Sequence, residues 1–122
     1  MLLVQLVKRQ WSDYPRTHRS RRNLLVHLAA VPAFVAANTA LVAALLLANW
    51  TVAAVSLVIM AASLAWQGRC HREEPERPEP FSGPIEAVVR ILIEQWVTFP
   101  RFAFSGCWAR ALRETPRQSA SA

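Results

Sequence analysis

The sequence predicts an all-α membrane protein: a transmembrane helical hairpin of two spans, plus an N-terminal amphipathic helix and a C-terminal interfacial helix. Three observations carry that reading. Residues 23–67 hold no Lys, Arg, Asp or Glu, although charged residues make up 18% of the chain and hydrophobic ones 53%. A soluble domain this small needs a wet face on each helix, whereas an uncharged run of this length can cross a bilayer more than once. The basic residues that give the net charge of +6 flank that run on both sides. This is the pattern of cytoplasmic flanks beside membrane segments and not of a separate nucleic-acid-binding domain. Membrane lipid is the expected partner, and nucleic acid is not.

The whole chain, 1–122, reads as a single membrane domain. Residues 1–22 form the N-terminal interfacial segment. The apolar patch of MLLVQLVKRQWS precedes its charges and has no small-residue cleavage site after it, so it is not a secretory signal. It suits an amphipathic helix resting on the membrane with Trp11 at headgroup depth, and Tyr14-Pro15 is expected to bend the chain. Residues 23–48 are the first span. Leu24 to Ala48 reaches about 37 Å as a helix, kinked at Pro32, and its dense small residues (Ala29, Ala30, Ala33, Ala36, Ala37, Ala40) ask for a close helix neighbour. Asn49-Trp50 makes a tight polar break, and residues 51–68 return through the membrane. Both ends of the hairpin then lie on the Arg-rich side, which puts both termini in the cytoplasm.

Residues 69–84 read as a Pro-rich loop. Ile85, Val88, Val89, Leu92, Trp96 and Phe99 give 85–108 one apolar helical face, and Glu86, Arg90 and Glu94 repeat every fourth residue on another, where Arg90 can pair with either acid. A helix lying in the interface fits these charges better than a third span. Arg101 to Phe104 and Trp108 are expected to add interfacial anchors, and 109–122 is a polar tail. The two cysteines, Cys70 and Cys107, make no disulfide framework and are expected as reduced thiols.

The hairpin brings all three histidines to one depth. His18 precedes the first span, His27 lies about one turn inside it, and His71 lies about one turn past the end of the second. His18 and His27 are about two and a half turns apart, so they point to opposite sides of any unbroken helix. They converge only if the chain turns between them, near Ser20 to Asn23. Three neutral imidazoles with open positions suit non-haem Fe(II). Glu73 or Glu74 is available to add a carboxylate or to hold a histidine N–H from outside, and Tyr14, Asn23 and Gln67 are further polar groups at this level. The bland alternative is that each histidine is a packing or loop residue of a non-enzymatic membrane scaffold or helper subunit. Zinc in place of iron would mark another metal-dependent lipid enzyme on the same site.

The pattern Tyr14…His18…Asn23…His27…Pro32 resembles the signature of the small membrane family of 2-hydroxy fatty acid dioxygenases. Trp66-Gln67-Gly68-Arg69-Cys70-His71, followed by Glu74 and the Pro-rich loop, is similar to that family's second motif, with Arg69-Cys70 interrupting its Gly-His step. The segment from Glu94 to Phe102 looks typical of a bacterial branch, which would place the chain in a bacterial inner membrane. The resemblance runs from about Tyr14 to Pro84. It implies an Fe(II)-dependent, membrane-embedded enzyme that uses O2 to shorten a 2-hydroxy fatty acid by one carbon and release CO2. In eukaryotes such enzymes act in fatty-acid α-oxidation during phytosphingosine breakdown. On that resemblance His18, His27 and His71 are the catalytic iron ligands, with Glu74 as the matching acid. A fatty-acid-like substrate would lay its tail along the Ala-rich helix pair while Arg19, Arg21 or Arg22 steadies its carboxylate. Two spans enclose little by themselves, so a homodimer is a further expectation.

Overall fold

The computed structural model describes residues 2–115, and among them it is all-helical. Helix α1 spans Leu3–Thr17, α2 Arg21–Leu46 and α3 Trp50–His71. After a loop come α4 (Pro84–Ile93), a π-helical turn (Glu94–Thr98), α5 (Phe99–Phe104) and α6 (Cys107–Glu114). The polar tail therefore starts later than its composition suggests, and residues 116–122 lie outside the described part.

Helices α2 and α3 form the expected hairpin, and both are long and apolar enough to cross a membrane. Their contact is built on small side chains at seven-residue spacing. Ala30, Ala37 and Ala44 are buried on α2, and Ser56, Ser63 and Cys70 on α3. Side chains this small let two backbones approach closely. One cross-helix tie lies within the seam, where the Ser63 hydroxyl donates to the Ala30 carbonyl at 2.6 Å. Cys70 packs against Val26 and Ala30, so it serves packing. Away from the seam, α2 and α3 expose Val42, Leu45, Leu46, Val55, Leu57 and Val58.

The hairpin turn is a Schellman closure of α2: the Asn49 N–H bonds the Ala44 carbonyl at 2.8 Å and the Ala48 N–H bonds Leu45 at 3.3 Å. Asn49 then caps α3 by accepting from the Val52 N–H at 3.2 Å. The motif requires a left-handed residue, and Ala48 takes that role with φ of 52°.

Helix α1 does not bend at Tyr14-Pro15 but runs through Pro15 to Thr17. A proline one turn before a helix end removes a single backbone bond, which the terminal turn tolerates. The break comes at His18–Ser20, and Ser20 caps α2 by accepting from the Asn23 N–H at 3.3 Å. The C-terminal unit packs across α1 and α2. Tyr14, Leu24, Val31, Phe99 and Phe102 form its core, with Trp11 and Trp108 against them. Trp108 is thus an internal tie rather than an interfacial anchor, since its indole N–H donates to the Leu24 carbonyl at 2.9 Å. The outer side of α4 exposes Ile85, Val88 and Leu92, as an interfacial helix would. Gly106, with φ of 87°, separates α5 from α6.

Replacing Ala48 by Gly removes the left-handed strain, and we expect about 1 kcal/mol of stabilisation. Thermal unfolding in detergent micelles checks it as a raised midpoint.

Candidate metal centre

Each histidine reaches the centre from a different element. His18 lies in the break after α1, where its Nδ1 is 2.8 Å from the Tyr14 carbonyl. His27 lies on the first turns of α2, with Nδ1 2.9 Å from the Asn23 carbonyl. A ring nitrogen facing a carbonyl oxygen must carry the proton, so the Nε2 lone pair of both rings is free. His71 ends α3, and its Nδ1 lies 3.5 Å from the Asn23 side-chain amide. The three rings stand edge to face around one point, with centroids 4.7, 4.8 and 4.9 Å apart.

The fourth group is Glu94, at the start of the π-helical turn. One of its carboxylate oxygens lies 3.3 Å from His27 Nε2, 3.7 Å from His18 Nε2 and 3.9 Å from His71 Nε2. The four donor atoms lie within 4.8 Å of one another, and this group can hold a metal ion. Ligand bonds of about 2.1 Å place donors about 3 to 4 Å apart around one ion, which is the size of these spacings. His18 Nε2 is moreover a buried nitrogen with no hydrogen-bond partner. An orphaned lone pair in a dry site is costly, and a cation would satisfy it.

The ionisation states suit the same role. Burial lowers the His18 imidazole from 6.5 to about 4, against the opposing pull of Glu94, so it is neutral at pH 7. The Glu94 carboxylate faces the Nε2 atoms of the three rings, an arrangement that a cation between them would satisfy. Tyr14 stacks on His18 with ring centroids 3.7 Å apart and donates its hydroxyl to Glu94 at 3.2 Å. Burial, and then the charge of Glu94, raise the phenol well above its ordinary value.

Below this centre the next residue, Gln95, makes a reciprocal amide pair with Gln67, at 2.8 and 3.0 Å. Gln67 also donates to Ser63 at 3.1 Å, extending the tie toward α2. The π turn shifts the inward face, so that Ile93, Gln95, Thr98, Phe99 and Phe102 are all buried.

Glu74 is placed elsewhere than the sequence suggested. Its two oxygens accept from the Arg19 and Ser20 N–H groups at 3.0 and 2.9 Å, and from the Asn23 amide at 2.8 Å. These bonds close the turn between His18 and His27 and leave the carboxylate outside the four-donor group. Glu73 pairs with Arg22 at 3.3 Å on the exposed surface. Arg90 pairs with Glu86, not Glu94. A cleft of about 590 Å³ leads in to His18, His71 and Glu94 between α1, the Pro-rich loop and α4. Arg19, Arg21 and Arg22 are not in its wall; Arg9, Arg16, Arg72, Arg77 and Arg90 are.

The sequence profile of the 2-hydroxy-palmitic acid dioxygenase Mpo1-like family matches residues 4–104, a span that includes every residue of this centre. The chain belongs to the Mpo1-like family. No curated protein and no solved structure matches it. The family is named for a dioxygenase of a 2-hydroxy fatty acid, and the His–Glu group of this member is compatible with the metal such chemistry needs.

Two outcomes separate the acids. Glu74→Ala strands the donors it now satisfies, lowers stability by about 2–3 kcal/mol and weakens metal binding by no more than the roughly 10–100-fold of a supporting residue. Glu94→Ala lowers metal affinity by more than the roughly 10–100-fold typical of a supporting residue. Equilibrium metal titration beside thermal unfolding reads both. The pH dependence has a definite sign. The folded imidazole of His18 titrates near 4 and the unfolded one near 6.5, so the unfolded chain takes the proton first. Stability of the metal-free protein is fully present above 6.5 and declines as pH falls toward 4, which unfolding midpoints across that range will show.

Proposed function

We propose that this chain is an Fe(II)-dependent membrane oxygenase that uses O2 to shorten a 2-hydroxy fatty acid by one carbon. The observation that carries the reading is the convergence of three imidazole Nε2 atoms on one carboxylate oxygen at the inner end of an open cleft. Membership of the Mpo1-like family supports the reaction class. His18, His27, His71 and Glu94 would hold the iron. Bound there, iron would supply Lewis-acid coordination of the substrate's carboxylate and 2-hydroxyl, together with the redox chemistry that O2 requires.

The reaction balances without an external reductant: 2-hydroxy acid plus O2 yields the shorter acid, CO2 and water. The protein's part is to present the donors and fix their orientation. The Nδ1–H bonds to the Tyr14 and Asn23 carbonyls fix the orientation of His18 and His27. Tyr14 covers the His18 ring and hydrogen-bonds Glu94, holding that carboxylate toward the centre.

Helices α2 and α3 would span the bilayer, with their exposed leucines and valines toward lipid and both termini cytoplasmic, in a bacterial inner membrane. The outer face of α4 would rest at the interface. The substrate would enter by the cleft beside α1, since α2 and α3 pack closely along their small-residue seam. Helix α1 and the C-terminal unit complete the centre within one chain, and a homodimer would pair two such centres.

Purified anaerobically, the protein is expected to carry about one iron per chain, with most of it lost in His27→Ala. Oxygen uptake should follow addition of a 2-hydroxy fatty acid, with an acid one carbon shorter as product. Zinc as the bound metal without oxygen uptake, or full activity in all three histidine variants, would overturn the proposal.

A further inference from the structure

The cleft wall is richer in positive charge than its ion pairs require. Of its five arginines, Arg9 pairs with Glu79 at 2.5 Å, and Arg16 with Asp13 and Glu76 at 3.1 and 3.0 Å. Arg90 pairs with Glu86 at 3.1 Å, donates to the Glu79 and Pro80 carbonyls, and lies over the Phe81 ring. These contacts pin the Pro-rich loop to α1 on one side and to α4 on the other. They also use up the acids of the wall, because Glu94 is engaged by the histidines. Arg72 and Arg77 remain, with no ion pair to any described residue. Arg72 directly follows His71, and both side chains are exposed, so their guanidinium groups are free to meet a ligand.

We infer that Arg72 and Arg77, both in the cleft wall, form an anion subsite that holds the carboxylate of a single-chain fatty acid, whose tail lies against Leu6, Phe81 and Ile91. The inference rests on the proposed function for its choice of anion. A 2-hydroxy acid that chelates an ion through its hydroxyl and one carboxylate oxygen leaves the other oxygen to accept from a guanidinium. That group is always charged, and its fork matches a carboxylate. The other arginines of the wall are paired, and Leu6, Phe81 and Ile91 supply apolar surface.

The test measures binding of 2-hydroxyhexadecanoate and of its methyl ester to the full chain as purified in detergent micelles, with metal content determined beside it. Wild type should prefer the acid. Arg72→Gln and Arg77→Gln should each weaken acid binding about tenfold, and the double variant should lose most of the preference for acid, keeping only what the ion's own bond to the carboxylate supplies. Arg110→Gln, on exposed α6 away from the cleft, should bind as wild type does. All variants should keep the wild-type metal content, which separates loss of the subsite from loss of the centre. A double variant that retains the wild-type preference for acid overturns the inference. If oxygen uptake is absent while the acid preference still falls in these variants, the proposed reaction is wrong and the anion subsite stands.

Discussion

Everything at the candidate metal centre depends on one carboxylate that is not part of it. His18 and His27 cannot share a face of one helix, so the chain must break between them and hold that break rigidly. Glu74 does this by accepting from two successive backbone N–H groups and the Asn23 amide. The N–H groups lie at the start of α2, where the helix dipole and unpaired donors favour a negative charge. Glu74 arrives there only because α3 returns to the level at which α2 began. The same carboxylate therefore fixes the turn and anchors the segment that carries His71. A small chain brings three separated histidines to one point by making the hairpin's return close the turn at its start.

Burial then decides the chemistry. Three imidazoles around one carboxylate in water would share protons readily near neutral pH. Here desolvation keeps His18 neutral, and its Nε2 lone pair and the Glu94 carboxylate face one point. The outcome is a set of three imidazole nitrogens and one carboxylate oxygen. This donor set suits a divalent first-row ion with coordination positions left over. The orphaned His18 Nε2 follows from the same arrangement: its other nitrogen is committed to the Tyr14 carbonyl, and its lone pair is aimed at the centre.

The hairpin, its two ends and the common depth of the histidines were legible in the sequence because long uncharged runs and charge flanks are local signals. The turn near Ser20 was legible as well, since two histidines about two and a half turns apart require it. Glu94 was not. Its four-residue spacing from Arg90 and Glu86 is indistinguishable from a surface ladder of ion pairs, and a π-helical turn has no periodic signature. Glu74 was read as a metal ligand because a carboxylate near a histidine looks the same in sequence whether it faces an ion or a backbone N–H. Pro15 was read as a bend, but its position so near the helix end leaves the helix intact. Arg72 and Arg77 do not stand out in sequence beside the basic cluster at Arg19, Arg21 and Arg22, because their freedom depends on how acids distant in sequence are matched.

The Gln67–Gln95 pair shows how the fold selects a single register for the segment bearing Glu94. Two buried primary amides cost free energy unless both donors and acceptors are met, and the penalty grows as the surroundings become apolar. The reciprocal bonds between them meet that demand in one alignment of α3 against the π turn. A slip of one residue would set Glu94 or Trp96 against Gln67, leaving amides unpaired in the core and moving the carboxylate away from the histidines. Apolar side chains of similar size would bury comfortably but would tolerate such slips. The polar pair therefore contributes little net stability and much specificity: it makes the alignment that aims Glu94 at the centre the one in which the buried amides are satisfied.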